Sequence, residues 1–96
     1  MKISVVTVCY NSATTIGDTL RSVRQQTYEN VEHIIVDGGS KDTTLAVVAA
    51  EGPHVAKLIS ERDSGIYDAM NKGIQLATGD VVALLFLPVR NPTRLP

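Results

Sequence analysis

Several features that would point to particular functions are scarce in this chain or missing from it. There is one cysteine, Cys9, which excludes an internal disulfide and a cysteine-built metal cluster. A cytosolic setting is the expectation that follows. Basic residues are not in excess: nine Lys and Arg stand against ten Asp and Glu, for a net charge of −1. That balance leaves nothing to neutralise a nucleic-acid backbone, so nucleic acid is not an expected partner. No apolar run approaches the ~18 residues of a membrane span. The start, Met1-Lys2-Ile3-Ser4, carries one charge and a short stretch broken by Ser4 and Thr7, too short and too polar for a signal peptide. Two phosphate-binding signatures are also missing. No G-x-G-x-x-G follows the first apolar segment, which argues against a dinucleotide site, and no G-x-x-x-x-G-K-[ST] occurs anywhere.

The composition that remains is ordinary for a globular protein: 44% hydrophobic and 20% charged over 96 residues. That length supports one modest core, and it is too short for a nucleotide site, a second substrate site and a lid together. Residues 1–87 read as one α/β domain. Residues 88–96 read as an irregular tail, because three of the four prolines (Pro88, Pro92 and Pro96) fall there.

Along the chain, β-branched and apolar segments alternate with helical ones. Ile3 to Cys9 and Val31 to Asp37 read as buried strands, Val55 to Ile59 as a third, and Val81 to Leu87 as a fourth, unbroken and apolar. Between the first two, Ile16, Leu20 and Val23 recur at helical spacing, and Thr15 with Asp18 resembles a capping box. Residues 25–30 close that helix in polar side chains. Gly38-Gly39-Ser40 is a turn with two residues free to take positive φ, after which Ser40 or Asp42 caps a helix through Leu45, Val48 and Ala49. Gly52-Pro53 stops that helix. Ile66, Met70, Gly73, Ile74 and Ala77 fall on one face of a third helix, with Gly79 as its C′ glycine. Strands separated by helices are parallel with right-handed crossovers, and continuous apolar strands suit a sheet covered on both faces. The expected fold is therefore three-layer α/β/α around an open, mainly parallel sheet.

In such a sheet, ligands bind beyond the carboxyl ends of the strands. The informative residues are those that follow each strand: Cys9, Tyr10 and Asn11; Asp37, Gly38, Gly39 and Ser40; Glu61, Arg62, Asp63, Ser64 and Gly65. A carboxylate there can accept from a ribose or a base N–H, an arginine can pair with phosphate, and an aromatic ring can stack on a base. Each has a plainer alternative. Asp37 and Asp63 can be turn residues, Tyr10 a packed strand-end ring, and Arg62 a solvated charge. Cys9 reads as a small buried hydrophobe and Met70 as core filling. His33, mid-strand, and His54, after Pro53, suggest no metal site.

Four ordered blocks carry a resemblance: Val5–Asn11, Ile35–Asp42, Glu61–Gly73 and Ala77–Asp80. Together they resemble the family 2 glycosyltransferases, and most closely the bacterial enzymes that build exopolysaccharide or capsule units. The resemblance implies a Rossmann-like, GT-A-like nucleotide-sugar-binding domain that takes a UDP- or GDP-sugar and serves a saccharide or lipid-linked acceptor. It implies single-displacement sugar transfer in polysaccharide synthesis. It gives the nucleotide-binding roles to Thr7, Tyr10, Asp37 and Asp63, with Arg62 facing the diphosphate, and makes Asn71 and Lys72 part of a supporting helix. It also implies a divalent cation, Mn or Mg, held by an Asp-x-Asp motif after the fourth strand. Here no Asp or Glu follows Asp80, and Asp80 precedes that strand. A truncated or frame-shifted reading, or a cloned piece, would produce this pattern, so no catalytic residue and no metal ligand is assigned. The alternative expectation is a non-catalytic module that binds nucleotide weakly or pairs with itself through an apolar sheet edge.

Overall fold

The computed structural model describes residues 1–25 and 30–87. The polar end of the first helix, within 26–29, and the tail, 88–96, lie outside the described residues. Four strands and three helices alternate: β1 (Ile3–Cys9), α1 (Ile16–Arg24), β2 (Val31–Asp37), α2 (Thr44–Glu51), β3 (Val55–Ser60), α3 (Ile66–Leu76) and β4 (Val81–Phe86). The sheet order is β3-β2-β1-β4, and every neighbouring pair is parallel. The register places Val6 beside Ile34 and Leu84, and Cys9 beside Asp37.

The sheet has an apolar cluster on each face, which makes three layers. Val6, Val8, Ile34, Val36 and Ala69 form one cluster, under α3. Cys9, Ile16, Leu20, Ile35 and Val48 form the other, under α1 and α2. Because both faces of β1 and β2 are covered, their buried residues do not alternate with exposed ones, and the polar residues Ser4, Thr7, Glu32, His33 and Asp37 are buried with the apolar ones.

The inward face of α3 departs from the expected stripe. Ala69 and Gly73 are buried, whereas Ile66 and Ile74 are 52% and 43% exposed. The helix lies so close to β1 that a Cβ on Gly73 would meet Val6 Cγ1 at 2.3 Å, so only the smallest residues fit the contact. Gly79 is likewise no left-handed cap: the positive-φ glycines are Gly39 and Gly65. A Cβ on Gly79 would lie 2.7 Å from Ser4 Oγ and 2.8 Å from the Lys2 carbonyl, so glycine allows the chain to pass under the start of β1. Thr15 makes no side-chain cap, and Asp18 pairs with Arg21 instead. Thr43, not Ser40 or Asp42, stands at the N-cap of α2, although Asp42 Oδ1 accepts from the Thr44 N–H at 2.9 Å and supplies the same compensation.

The amino end of the sheet is closed by a buried carboxylate. Glu32 accepts from the Ser4 hydroxyl at 2.7 Å and from the Thr78 N–H at 3.0 Å, with Lys57 Nζ at 3.3 Å and Lys2 Nζ at 3.6 Å. The Thr78 N–H and the Ser4 hydroxyl hold its carboxyl down at about 2.

Candidate nucleotide site

The carboxyl end of the sheet is built by three loops fastened to one another. The β1–α1 and β2–α2 loops are joined by short bonds: Asn11 N–H donates to Ser40 Oγ at 2.8 Å, and Lys41 N–H to Asn11 Oδ1 at 2.8 Å. Ser12 N–H donates to Thr44 Oγ1 at 2.8 Å. Asn11 takes φ 48, a left-handed conformation that asparagine tolerates. The third loop, between β3 and α3, lies against the glycine turn: a Cβ on Gly39 would be 3.4 Å from the Arg62 backbone nitrogen. Lys72 braces this loop from α3, with Nζ 3.6 Å from Asp68 and 3.9 Å from Glu61. Asn71 is exposed on the same helix.

Two adjoining cavities open at this edge and share Tyr10. One, of about 310 Å³, is lined by Val8, Cys9, Tyr10, Asp63, Ile66 and Phe86 among others. The other, of about 180 Å³, is lined by Tyr10, Gly38, Gly39, Lys41 and Arg62. Tyr10 is 37% exposed, so its ring is available to a ligand. The loops therefore bring an aromatic face, one carboxylate and two cations together around a partly apolar floor. That combination suits a base, its ribose and a diphosphate.

Two of the residues that the resemblance puts at the nucleotide, Thr7 and Asp37, are not among those lining the two cavities. Thr7 is fully buried, and its hydroxyl is 2.8 Å from His33 Nε2, away from both cavities. Asp37 is also fully buried and serves the turn that follows it. Its Oδ2 accepts from Gly39 N–H at 3.1 Å, Ser40 N–H at 2.8 Å and Ser60 Oγ at 2.9 Å. Its Oδ1 accepts from the Ser40 hydroxyl and, at 3.5 Å, from Cys9 Sγ. Tyr10, Arg62 and Asp63 do line the cavities.

Sequence reasoning did not single out Lys41, or the Asn11–Ser40 and Ser12–Thr44 ties, because their partners lie about 30 residues apart and no local pattern announces them. The pairing of the two histidines has no local signal either. The structure places His33 Nδ1 3.1 Å from His54 Nε2, with His54 Nδ1 buried and unpartnered among the described residues. Burial, and then His54, push His33 down to about 4. Burial and the neighbouring Asp37 push the Cys9 thiol well above its usual range, so it is no nucleophile.

Known proteins share this sequence pattern and fold. Glycosyl transferase family 2 matches residues 4–85. The chain belongs to that family. An uncharacterized glycosyltransferase of Mycobacterium tuberculosis is 43% identical over 84 residues, which is 86% of this chain and 32% of that protein. A PGL/p-HBAD biosynthesis glycosyltransferase of Mycobacterium bovis is 41% identical, over 88% of this chain and 33% of its own length. Among solved structures, a mannosyltransferase of Pyrobaculum calidifontis in complex with GDP-Man and Mn²⁺ superposes with TM-score 0.75 and 31% identity, over 84% of this chain and 26% of that one. The chain thus spans about a third of the length of these relatives.

The described residues do not fit the divalent cation expected for the family. The described residues hold no group of three His, Cys, Asp or Glu side chains that could bind a metal. Asp80 lies at the opposite end of β4, where its Oδ2 accepts from Lys2 N–H at 2.9 Å. No helix among the described residues is long and apolar enough to cross a membrane.

Proposed function

We propose that residues 1–87 form the donor-binding part of a family 2 glycosyltransferase that assembles a polysaccharide or glycolipid in the cytoplasm from a UDP- or GDP-sugar. The observation that carries this reading is the meeting of Tyr10, Asp63, Lys41 and Arg62 on two adjoining cavities at the carboxyl edge of the sheet. The Tyr10 ring stacks on the base, the Asp63 carboxylate accepts from it, and Lys41 and Arg62 pair with the diphosphate. The Pyrobaculum neighbour's GDP-Man and the Mycobacterium bovis relative's part in PGL/p-HBAD biosynthesis support this donor class and this kind of product. Sugar transfer belongs to a longer protein. There a base takes the proton from a hydroxyl of a saccharide or lipid-linked acceptor, that oxygen attacks the anomeric carbon, and the bond to the diphosphate breaks to release the nucleotide.

Thermal unfolding of the purified chain tests the binding step. Ligand that binds only the folded state raises Tm by linkage. UDP or GDP raising Tm while inorganic phosphate does not supports the reading. No rise with either nucleotide overturns it.

A second reading, self-association, rests on one observation about β4. This edge strand exposes Val81, Val82, Leu85 and Phe86 at 39–44% and carries no charge or proline over its length. Edge strands that are meant to stay single normally carry such blockers. The matching occupant is β4 of a second copy, paired antiparallel about a two-fold axis.

A further inference from the structure

Most cations among the described residues already have partners. Lys2 and Lys57 face Glu32, Arg21 faces Asp18 and Glu51, and Lys72 faces Glu61 and Asp68. Arg24 Nη1 donates to the Glu51 carbonyl at 3.4 Å. Lys41 and Arg62 differ. Their side chains have no carboxylate or carbonyl partner among the described residues, and both are exposed on the wall of the smaller cavity. That cavity, lined by Tyr10, Gly38, Gly39, Lys41 and Arg62, has no acidic side chain in its wall. Its turn offers no free backbone donors either. Gly38 N–H donates to the Cys9 carbonyl at 3.0 Å, Gly39 and Ser40 N–H to Asp37, and Lys41 N–H to Asn11. An anion in this cavity is therefore met by two side-chain cations and by little else.

The acidic groups are placed elsewhere. No Asp or Glu follows Asp80 in the chain, and Asp80 holds Lys2 at the other end of the sheet. Asp63 lines the neighbouring cavity as a single carboxylate, with Oδ1 engaged by Gly65 N–H at 3.1 Å. A divalent cation takes about six oxygen ligands or more, and two fixed positive charges beside the same phosphates repel it.

We propose that Lys41 and Arg62 stand in for the divalent cation in this chain, so that it binds the metal-free nucleoside diphosphate and a divalent cation opposes that binding. The inference rests on the nucleotide-binding reading above and concerns the charge on the ligand rather than its base. Mg²⁺ and Mn²⁺ occupy the diphosphate oxygens with which the Lys41 ammonium and the Arg62 fork pair. A chelated diphosphate has fewer free oxygens and less negative charge, so two cations hold it less well. The effect of metal on binding is then opposite in sign to that at a site built around a metal.

Calorimetric titration of the 96-residue chain with UDP and with GDP tests this. The titrations are run in EDTA and in excess Mg²⁺ or Mn²⁺, at ionic strength matched with NaCl so that screening is equal. At least one nucleotide binds in EDTA, and excess metal weakens it about tenfold, the worth of one charge-assisted pair. Lys41→Gln and Arg62→Gln each weaken binding in EDTA by about the same factor and shrink the metal effect, without lowering Tm. Binding that appears only with metal, or that metal strengthens or leaves unchanged, overturns the inference and leaves nucleotide binding standing. So does an unchanged affinity in EDTA in either folded variant. If neither nucleotide binds with or without metal, the nucleotide-binding reading has failed, and this inference with it.

Discussion

At Gly73 the fold depends on a missing methyl group. A Cβ there would stand 2.3 Å from Val6 Cγ1 and 3.3 Å from Val36 Cγ2, both in the core under α3. Gly73→Ala gains intrinsic helix propensity, but the overpacking costs about 1–3 kcal/mol. The net expectation is a lower urea midpoint with an unchanged slope. The glycine was visible in the sequence, but its role was not. The apolar stripe through Ile66, Met70 and Ile74 has the right period, yet which side faces the sheet is decided by how closely the backbones approach. His33 makes a second prediction at this scale. Its folded value of about 4 lies below the ordinary histidine value of 6.5, so the neutral form is the one that folds. The stability this contributes is complete above pH 6.5, falls as pH drops towards 4, and is gone below that. His54 is pushed the same way, by burial and then by Arg24. His33→Gln should flatten the fall of Tm between pH 6.5 and 4, with an effect at His33 of roughly 3 kcal/mol. An unchanged slope in that variant contradicts the account.

The elements themselves were the most legible part. Seven segments, their order and their parallel pairing followed from β-branched runs alternating with helical spacing, because each signal is local. An apolar edge at β4 was legible as the alternative reading, but the strand order that sets β4 beside β1 was not. Strand order depends on which neighbours are present, and among the described residues β4 pairs only with β1. This yields a prediction for the strand. Leu85 is 39% exposed, so Leu85→Lys places a charge on the β4 surface at little cost to the monomer. If β4 pairs with its copy, sedimentation shows a wild-type dimer that becomes monomeric in Leu85→Lys. A wild-type monomer at every usable concentration removes the self-association reading. The site was legible in part for the same reason of locality. Tyr10, Arg62 and Asp63 follow their strands directly and do line the cavities. Asp37 ends β2 and Thr7 lies inside β1, and cross-strand partners at Ser60 and His33 hold both inward.

Across the whole molecule, the two ends of the sheet are built differently. The amino end is sealed by Glu32, which ties Ser4 on β1, Lys57 on β3 and Thr78 before β4 into one buried network. Removing one partner from such a network strands the others, so Glu32→Ala should cost about 3 kcal/mol or more and leave Lys57 without its counter-charge. Chemical denaturation reads that loss directly. Because the folded Glu32 carboxyl lies near 2, the contribution is present above about pH 4.5 and is lost as pH falls towards 2. The carboxyl end is open, with loops that expose Tyr10, Lys41 and Arg62 around two cavities. A ligand should therefore disturb one end of the sheet and leave the other unchanged. Amide NMR of the 96-residue chain during titration with UDP and then GDP tests this most directly. The account predicts shifts at Tyr10, Gly38, Gly39, Lys41, Arg62 and Asp63, with Ser4, Glu32 and Thr78 unmoved. A well-dispersed spectrum that neither nucleotide changes, or shifts centred on the Glu32 end, would contradict it.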